Sequence, residues 1–166
     1  HLVFSTLHTN NAAGTFPRLI DLGVNSKIIS SAINLAIAQR LVRKLCSNCK
    51  KQIVLEGEDK IAIEKTLNTI TDKSYLEGLD LGHIYQAVGC DQCNKIGFKG
   101  RIGIHEAIAM DVNIENIIRD NPSEREIKKA AKGQNLLDLT EDGVIKVLAG
   151  ITTLDELRRI IDIDKD

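Results

Sequence analysis

A chain of 166 residues, 43% hydrophobic and 27% charged, has room for one globular domain or two small ones. Its 22 basic and 23 acidic side chains leave a formal net charge of −1, without the basic excess of a nucleic-acid or membrane-surface binder. No apolar run approaches the roughly 18 residues of a membrane span, and no signal peptide opens the chain.

The only methionine is Met110, and the first residues, His1-Leu-Val-Phe-Ser-Thr-Leu, are apolar and β-prone. Natural chains seldom begin inside a core strand, so the sequence reads as a piece of a longer protein. Residues 1–9 are expected to form a strand leaving a core toward the polar tip Leu7-His8-Thr9. Asn10-Asn11 and Ala12-Ala13 then open a helix that stops near Gly23. Pro17 either kinks this helix or moves its start to about Thr15. Ser26 can cap a second helix that carries Ile28, Ile29, Ala32, Ile33 and Ile37 at helical spacing. Gln39 to Leu45 follows as a strand or extended segment.

Residues 59–70 place Ile63, Leu67 and Ile70 on one face of a short amphipathic helix, and residues 71–82 are polar loop. Ile84 to Val88 alternates as a strand, and Gly97 to Glu106 is a glycine-punctuated turn followed by another. From residue 111 the pattern is helical. Ser123 with Glu126 is a capping box, and its helix can close at Gly133. Thr140 is expected to cap a helix bearing Val144, Val147 and Leu148 that ends at Gly150. Thr153 with Glu156 is a second box, opening Leu154 to Ile161. Asp162, Asp164 and Asp166 are expected to fray into solvent.

The four cysteines, Cys46, Cys49, Cys90 and Cys93, form two C-x-x-C pairs separated by the long middle of the chain. Each pair turns two thiolates toward one point, and two such knuckles complete the tetrahedron that Zn²⁺ prefers. A structural zinc is therefore the leading reading, and four thiolates leave the metal no open position for catalysis. Disulfides and dithiol redox chemistry are the alternatives, weakened by the missing signal peptide and by the paired spacing. The flanks are basic, with Arg40, Arg43, Lys44, Lys50 and Lys51 on one side and Lys95, Lys99 and Arg101 on the other. Such a patch could meet nucleic acid, or it could offset the net charge near −2 of a zinc tetrathiolate. Phe98 is the one aromatic nearby to stack on a base, so no nucleic acid is expected.

These motifs, in this order, resemble the secretion ATPase superfamily, whose members drive type II secretion and type IV pilus assembly. His1-Leu-Val-Phe-Ser-Thr-Leu-His-Thr-Asn is similar to its His box. Ile37-Ala-Gln-Arg-Leu-Val-Arg-Lys-Leu-Cys46, the two C-x-x-C pairs and Gly97-Phe-x-Gly-Arg-x-Gly-Ile-His-Glu106 are similar to its assembly-type branch. So is the run from Leu139-Thr-Glu-Asp-Gly143 through Gly150-Ile-Thr-Thr-Leu-Asp-Glu156 to Arg158. The resemblance covers nearly all of the chain and is loosest over residues 50–82.

The resemblance implies an α/β fragment of a RecA-like P-loop NTPase core in residues 1–45. A tetracysteine zinc module in residues 46–93, with flanks to about 110, and a helical C-terminal subdomain in residues 111–166 would follow. It further implies a cytoplasmic, Mg²⁺- and ATP-dependent homo-hexamer peripheral to the bacterial inner membrane, with a membrane platform and recruiting proteins as partners. His8 matches the family's hallmark histidine, which faces the nucleotide's γ-phosphate, and His1 stands at the first position of the box. Such a histidine can donate to developing phosphoryl charge. Arg40 and Arg43 are packing or subunit-contact candidates rather than catalytic ones. His83 and His105 read as surface or structural, Glu106 as a structural hydrogen-bonding group, and Asp142 as a helix N-terminal charge. No Gly-Lys-Ser or Gly-Lys-Thr occurs in the chain, so a Walker A nucleotide cradle is absent. The family's Walker A, Asp box and Walker B lie upstream of the His box. Three readings thus stand: an enzyme portion with no activity of its own, a zinc-stabilised interaction module, and a zinc-ribbon nucleic-acid binder.

Overall fold

The computed structural model describes residues 1–120 and 123–163. Along the chain run α1 (Thr15–Asp21), α2 (Ser26–Ala32), β1 (Leu35–Leu45), β2 (Lys51–Val54), α3 (Gly57–Thr69), β3 (His83–Gln86), β4 (Phe98–Ala109), α4 (Val112–Asp120), α5 (Glu124–Ala131), α6 (Leu139–Leu148) and α7 (Leu154–Ile160). β1 pairs with β4, and β2 pairs antiparallel with β3, so the protein is small and of mixed α/β class. Two compact units emerge, His1–Ala38 with Glu106–Leu136 and Gln39–His105 with Leu137–Asp166. The run of helices after residue 111 is shared between them, α4 and α5 in the first and α6 and α7 in the second.

In the first unit, α2 packs on α4, and α4 on α5, around Phe16, Ile29, Ile114, Ile118 and Ile127, all at most 1% exposed. Pro17 sits without strain because the first intrahelical bond of α1 runs from Arg18 N to Gly14 O, one residue later. Its missing N–H belongs to a first turn that has no helical partner in any case. Residues 1–9 form no strand. A β-segment is stable only when its backbone groups join a ladder, and among the described residues no strand pairs with this one; Leu2, Val3 and Phe4 stay exposed. The second helix is also shorter than its apolar spacing predicts. Ile33 is already extended, and Met110 N–H donates to Asn34 O, which draws Leu35 and Ile37 into strand pairing.

In the second unit, α3 packs on α6, and α6 on α7 and β3. Ile63, Leu67 and Ile70 are buried, as are Val144, Val147, Leu148 and Leu157. α6 and α7 approach closely at Gly143, where an added Cβ would stand 2.4 Å from Leu157 Cδ1. The N-cap of α6 is Asp138 rather than Thr140: Asp138 accepts from Glu141 N, and Glu141 accepts back from Asp138 N. A carboxylate with a glutamate three residues later makes a complete box, leaving Thr140 inside the helix. Asn135, not Gly133, takes the left-handed conformation after α5. Thr153 caps α7 by accepting from Glu156 N. Asp164 and Asp166 lie outside the described residues. Asp162 is exposed yet has a partner, and Ile163 beside it is buried, so the chain there does not fray.

Glu156 does not close the expected box with Thr153 through its carboxylate, since only its backbone N takes part in the cap. Its side chain is fully buried and accepts from Arg43 N, Nε and Nη2 and from Arg159 Nε and Nη2. Burial alone would raise its pKa, but the Arg43 and Arg159 guanidiniums and the Arg43 backbone N–H outweigh it and hold the carboxyl at about 2, below its ordinary 4.5. A depressed folded-state pKa stabilises the fold above the unfolded value, and that stability drains away as pH falls from about 4.5 toward 2. The gap corresponds to on the order of 3 kcal/mol. We expect urea melts of Glu156→Gln at pH 7 to lose about that much and to show a flatter decline through this acid window. Equal stability of variant and parent at pH 7 would contradict the assignment.

Candidate metal centre

The two cysteine pairs are carried by strand ends. Cys46 follows β1 and Cys49 precedes β2, while Cys90 follows β3 and Cys93 precedes β4. The β2–β3 register, Lys51 opposite Gln86 and Val54 opposite His83, puts Lys51 and Gln86 side by side next to the knuckles. Cys46 N–H also donates to Gly97 O. Two glycines permit the second knuckle: at Gly89, φ +107, a Cβ would lie 2.4 Å from Lys95 O, and at Gly97, φ +76, it would lie 2.6 Å from Ala87 Cβ. Asn94 and Lys95 take left-handed conformations between them. The turn is thus backbone-determined as much as cysteine-determined.

All four sulfurs lie within 4.8 Å of one another. Cys46 and Cys90 are 3.9 Å apart, Cys49 and Cys93 3.8 Å, and Cys90 and Cys93 3.7 Å. A tetrahedral ion with metal–sulfur bonds of about 2.3 Å has sulfur–sulfur edges of about 3.8 Å, which these three separations match. The same distances are far longer than the roughly 2.05 Å of a disulfide, and the four thiols are free.

Hydrogen bonds to sulfur complete the arrangement. Gly89 N donates to Cys49, Cys90 N and Gly97 N donate to Cys93, and Asn48 Nδ2 donates to Cys90. Donors aimed at sulfur favour thiolate, the ligating form. The Asn48 amide leads in lowering Cys90 to about 6, against burial. For Cys93, burial opposes, but the N–H groups of Cys90 and Gly97 prevail and the thiol is lowered. Cys49 is pushed up to about 11, chiefly by burial and partly relieved by Gly89 N–H. A cation entering the cluster would displace the protons still held.

The basic flanks are partly committed nearby. Arg43, besides gripping Glu156, lies over the Phe98 ring at 4.2 Å. Lys50 donates to Gly150 O and lies 4.5 Å from the centre of the Tyr85 ring, and Lys95 pairs with Asp91. Lys44, Lys51, Lys99 and Arg101 are exposed, and Arg40 is half-buried with a partner of its own. His8 and His1 are exposed and belong to the first unit, the cysteines to the second. His83 pairs with Asp80. Asp142 accepts from His105 N and pairs with Lys146, a wider role than charging a helix end. Glu106 accepts from Ala12 N. Asn48 is invisible to spacing arguments, since nothing about an Asn inside C-x-x-C says which sulfur it will reach. Glu156 carried one signal, its capping-box position, which points to its backbone rather than to Arg43.

A family model described as "Type II/IV secretion system protein" matches residues 1–159. Over 96% of the chain, the sequence is 39% identical to the type IV pilus assembly ATPase PilB of Pseudomonas aeruginosa, covering 26% of that protein. It is 38% identical to the type II secretion system ATPase E of Vibrio cholerae over 96% of the chain and 29% of that protein. With PilB of Thermus thermophilus the identity is 38% over 95% of the chain and 17% of the relative. The chain therefore spans between about a sixth and three tenths of the length of these relatives.

The geometry predicts about one tightly held metal ion per chain. Elemental analysis of protein purified without chelator should find it, and chelation should speed amide exchange over residues 46–93 more than in α4 and α5. Cys93→Ser should lower metal content sharply. Metal-free protein with the four thiols slow to alkylate would contradict the prediction.

Proposed function

The chain belongs to the type II/IV secretion system protein family, and on that premise we propose that it is the C-terminal portion of a hexameric ATPase that powers type II protein secretion or type IV pilus assembly. The supporting observation is the match over residues 1–159, which carries the histidine box, the tetracysteine cluster and the helical end together. In this reading residues 1–45 complete a RecA-like core, and the Cys46, Cys49, Cys90 and Cys93 cluster holds a structural zinc, since four thiolates in a tetrahedron suit that ion and close it to substrate. Residues 111–166 supply the helical C-terminal portion, with α4 and α5 in the first compact unit and α6 and α7 in the second. The parent is cytoplasmic, peripheral to the inner membrane, and works with a membrane platform and recruiting proteins; no helix among the described residues is long and apolar enough to cross a membrane.

His8 is the residue proposed to meet the nucleotide. An imidazole N–H facing a γ-phosphate can donate to charge that grows as the phosphoryl group transfers. His1 occupies the first box position and is the secondary candidate. ATP and Mg²⁺ belong to the intact parent, because the phosphate cradle and its lysine have no counterpart in this sequence. Arg43 serves packing, through Glu156 and Phe98, and Arg40 remains a candidate subunit contact.

Phosphate-release assays test the proposal. This chain alone should hydrolyse ATP at background, whereas a longer version that includes the upstream phosphate-binding segments should turn over. His8→Ala in the longer protein should cut kcat by roughly 100-fold or more, the usual scale for losing one transition-state donor. Hydrolysis by the short chain that His8→Ala abolishes would overturn the reading.

A further inference from the structure

The turn that follows His8 is held far more firmly than the residues before it. Ala12 N donates to Glu106 Oε1 at 2.9 Å in a buried setting. Asn11 Oδ1 accepts from Gly14 N at 2.8 Å, and Asn11 Nδ2 donates to Glu124 Oε1 at 2.7 Å. Thr9 Oγ1 closes the turn on Asn11 O at 3.0 Å. Ala12 and Ala13 are fully buried, and a Cβ on Gly14 would already touch Asn11 Oδ1 and Glu124 Oε2 at 3.4 Å. His8 itself is exposed and lies in a segment that pairs with no strand. Its position in the first unit is therefore inherited from this turn, four residues along the backbone.

We infer that Glu106 is a positioning residue for His8, acting with Asn11 and Glu124 to fix the turn from which the histidine is presented. The inference rests on the proposed role of His8 at the nucleotide. Its physical basis is that both anchors come from regular elements remote in sequence. Glu106 stands on β4, and Glu124 stands in the first turn of α5, where Lys128 pairs with it. A buried carboxylate is costly unless donors face it, and a buried N–H without an acceptor is costly too. Glu106 gives the buried Ala12 N–H its acceptor at the place where the turn sits. An apolar side chain at position 106 would leave Ala12 N without this acceptor and the turn held by the Asn11 bonds to Gly14 and Glu124. Because α5 holds one anchor, a shift of that helix carries the His8 turn with it.

Two variants test the inference. Glu106→Leu keeps much of the volume of the side chain but removes the acceptor of Ala12 N. Asn11→Ala lies in a part-exposed position and deletes both Asn11 bonds without stranding a buried charge. In the present chain, amide exchange at residues 9–14 and the ring shifts of His8 should change in both variants, while exchange in α6 stays as in the parent. In the longer protein, kcat should fall by about 10- to 100-fold, the scale of a displacement of about 1 Å at a reacting group. KM for ATP should move by less than about twofold, because substrate binding is supplied elsewhere. Unchanged kcat in either folded variant, or unchanged His8 shifts, overturns the inference. Should Glu106→Leu fail to fold, Asn11→Ala decides alone. An unsubstituted longer protein that hydrolyses no ATP refutes the functional reading instead, and the exchange and ring-shift measurements still decide whether Glu106 places His8.

Discussion

Bringing four cysteine sulfurs to within 3.7 to 3.9 Å of their neighbours is the constraint around which the second unit is arranged. Thiolates at that separation repel one another, and thiols gain little by meeting there, so the cluster makes physical sense as a cation site. Its consequences run outward along four strands, because the first cysteine pair lies between β1 and β2 and the second between β3 and β4. The two pairs lock β1 to β4 at one end and set β2 beside β3. Lys50, placed by the first knuckle, then reaches Gly150 O after α6. A cation held by the four sulfurs would tie these segments together beside the apolar core of α3, α6 and α7.

Much of this was legible from local chemistry. The paired cysteine spacing, the capping signals at Ser123 and Thr153, the amphipathic face of α3 and the left-handed Gly150 are all short-range features, and the structure contains each of them. Legibility failed where a partner distant in sequence decided the outcome. Residues 1–9 have the composition of a strand but no ladder to join. Ile33 to Ile37 has helical spacing, yet the pairing of β1 with β4 claims it. β2 went unread because Lys51 to Val54 shows a strand only when set against His83 to Gln86. Within the site, the four ligands could be named from spacing, whereas Asn48 could not, since its contact depends on the knuckle's three-dimensional turn.

The buried acidic residues show the same limit from another side. Glu106 reaches Ala12 across 94 residues, Glu141 reaches Thr69 across 72, and Glu156 reaches Arg43 across 113. A composition count records them as three more surface charges. Each is instead less than a tenth exposed and joins segments that meet only in the folded chain.

Apolar groups could fill the same volume at lower desolvation cost, so burial energy alone does not account for these carboxylates. Hydrophobic contact is non-directional and tolerates a helix rotated by some degrees or slid by part of a turn. A buried carboxylate does not, because its oxygens must meet particular N–H groups or remain uncompensated. Glu156 illustrates the difference: Arg43 approaches it through the backbone N, Nε and Nη2 together, a set that only one placement of α7 against β1 can satisfy. The three carboxylates thus join segments remote in sequence, and they select position where packing would select only proximity. A protein that assembles its two units from interleaved segments needs that selection most where the segments cross from the first half of the chain to the second.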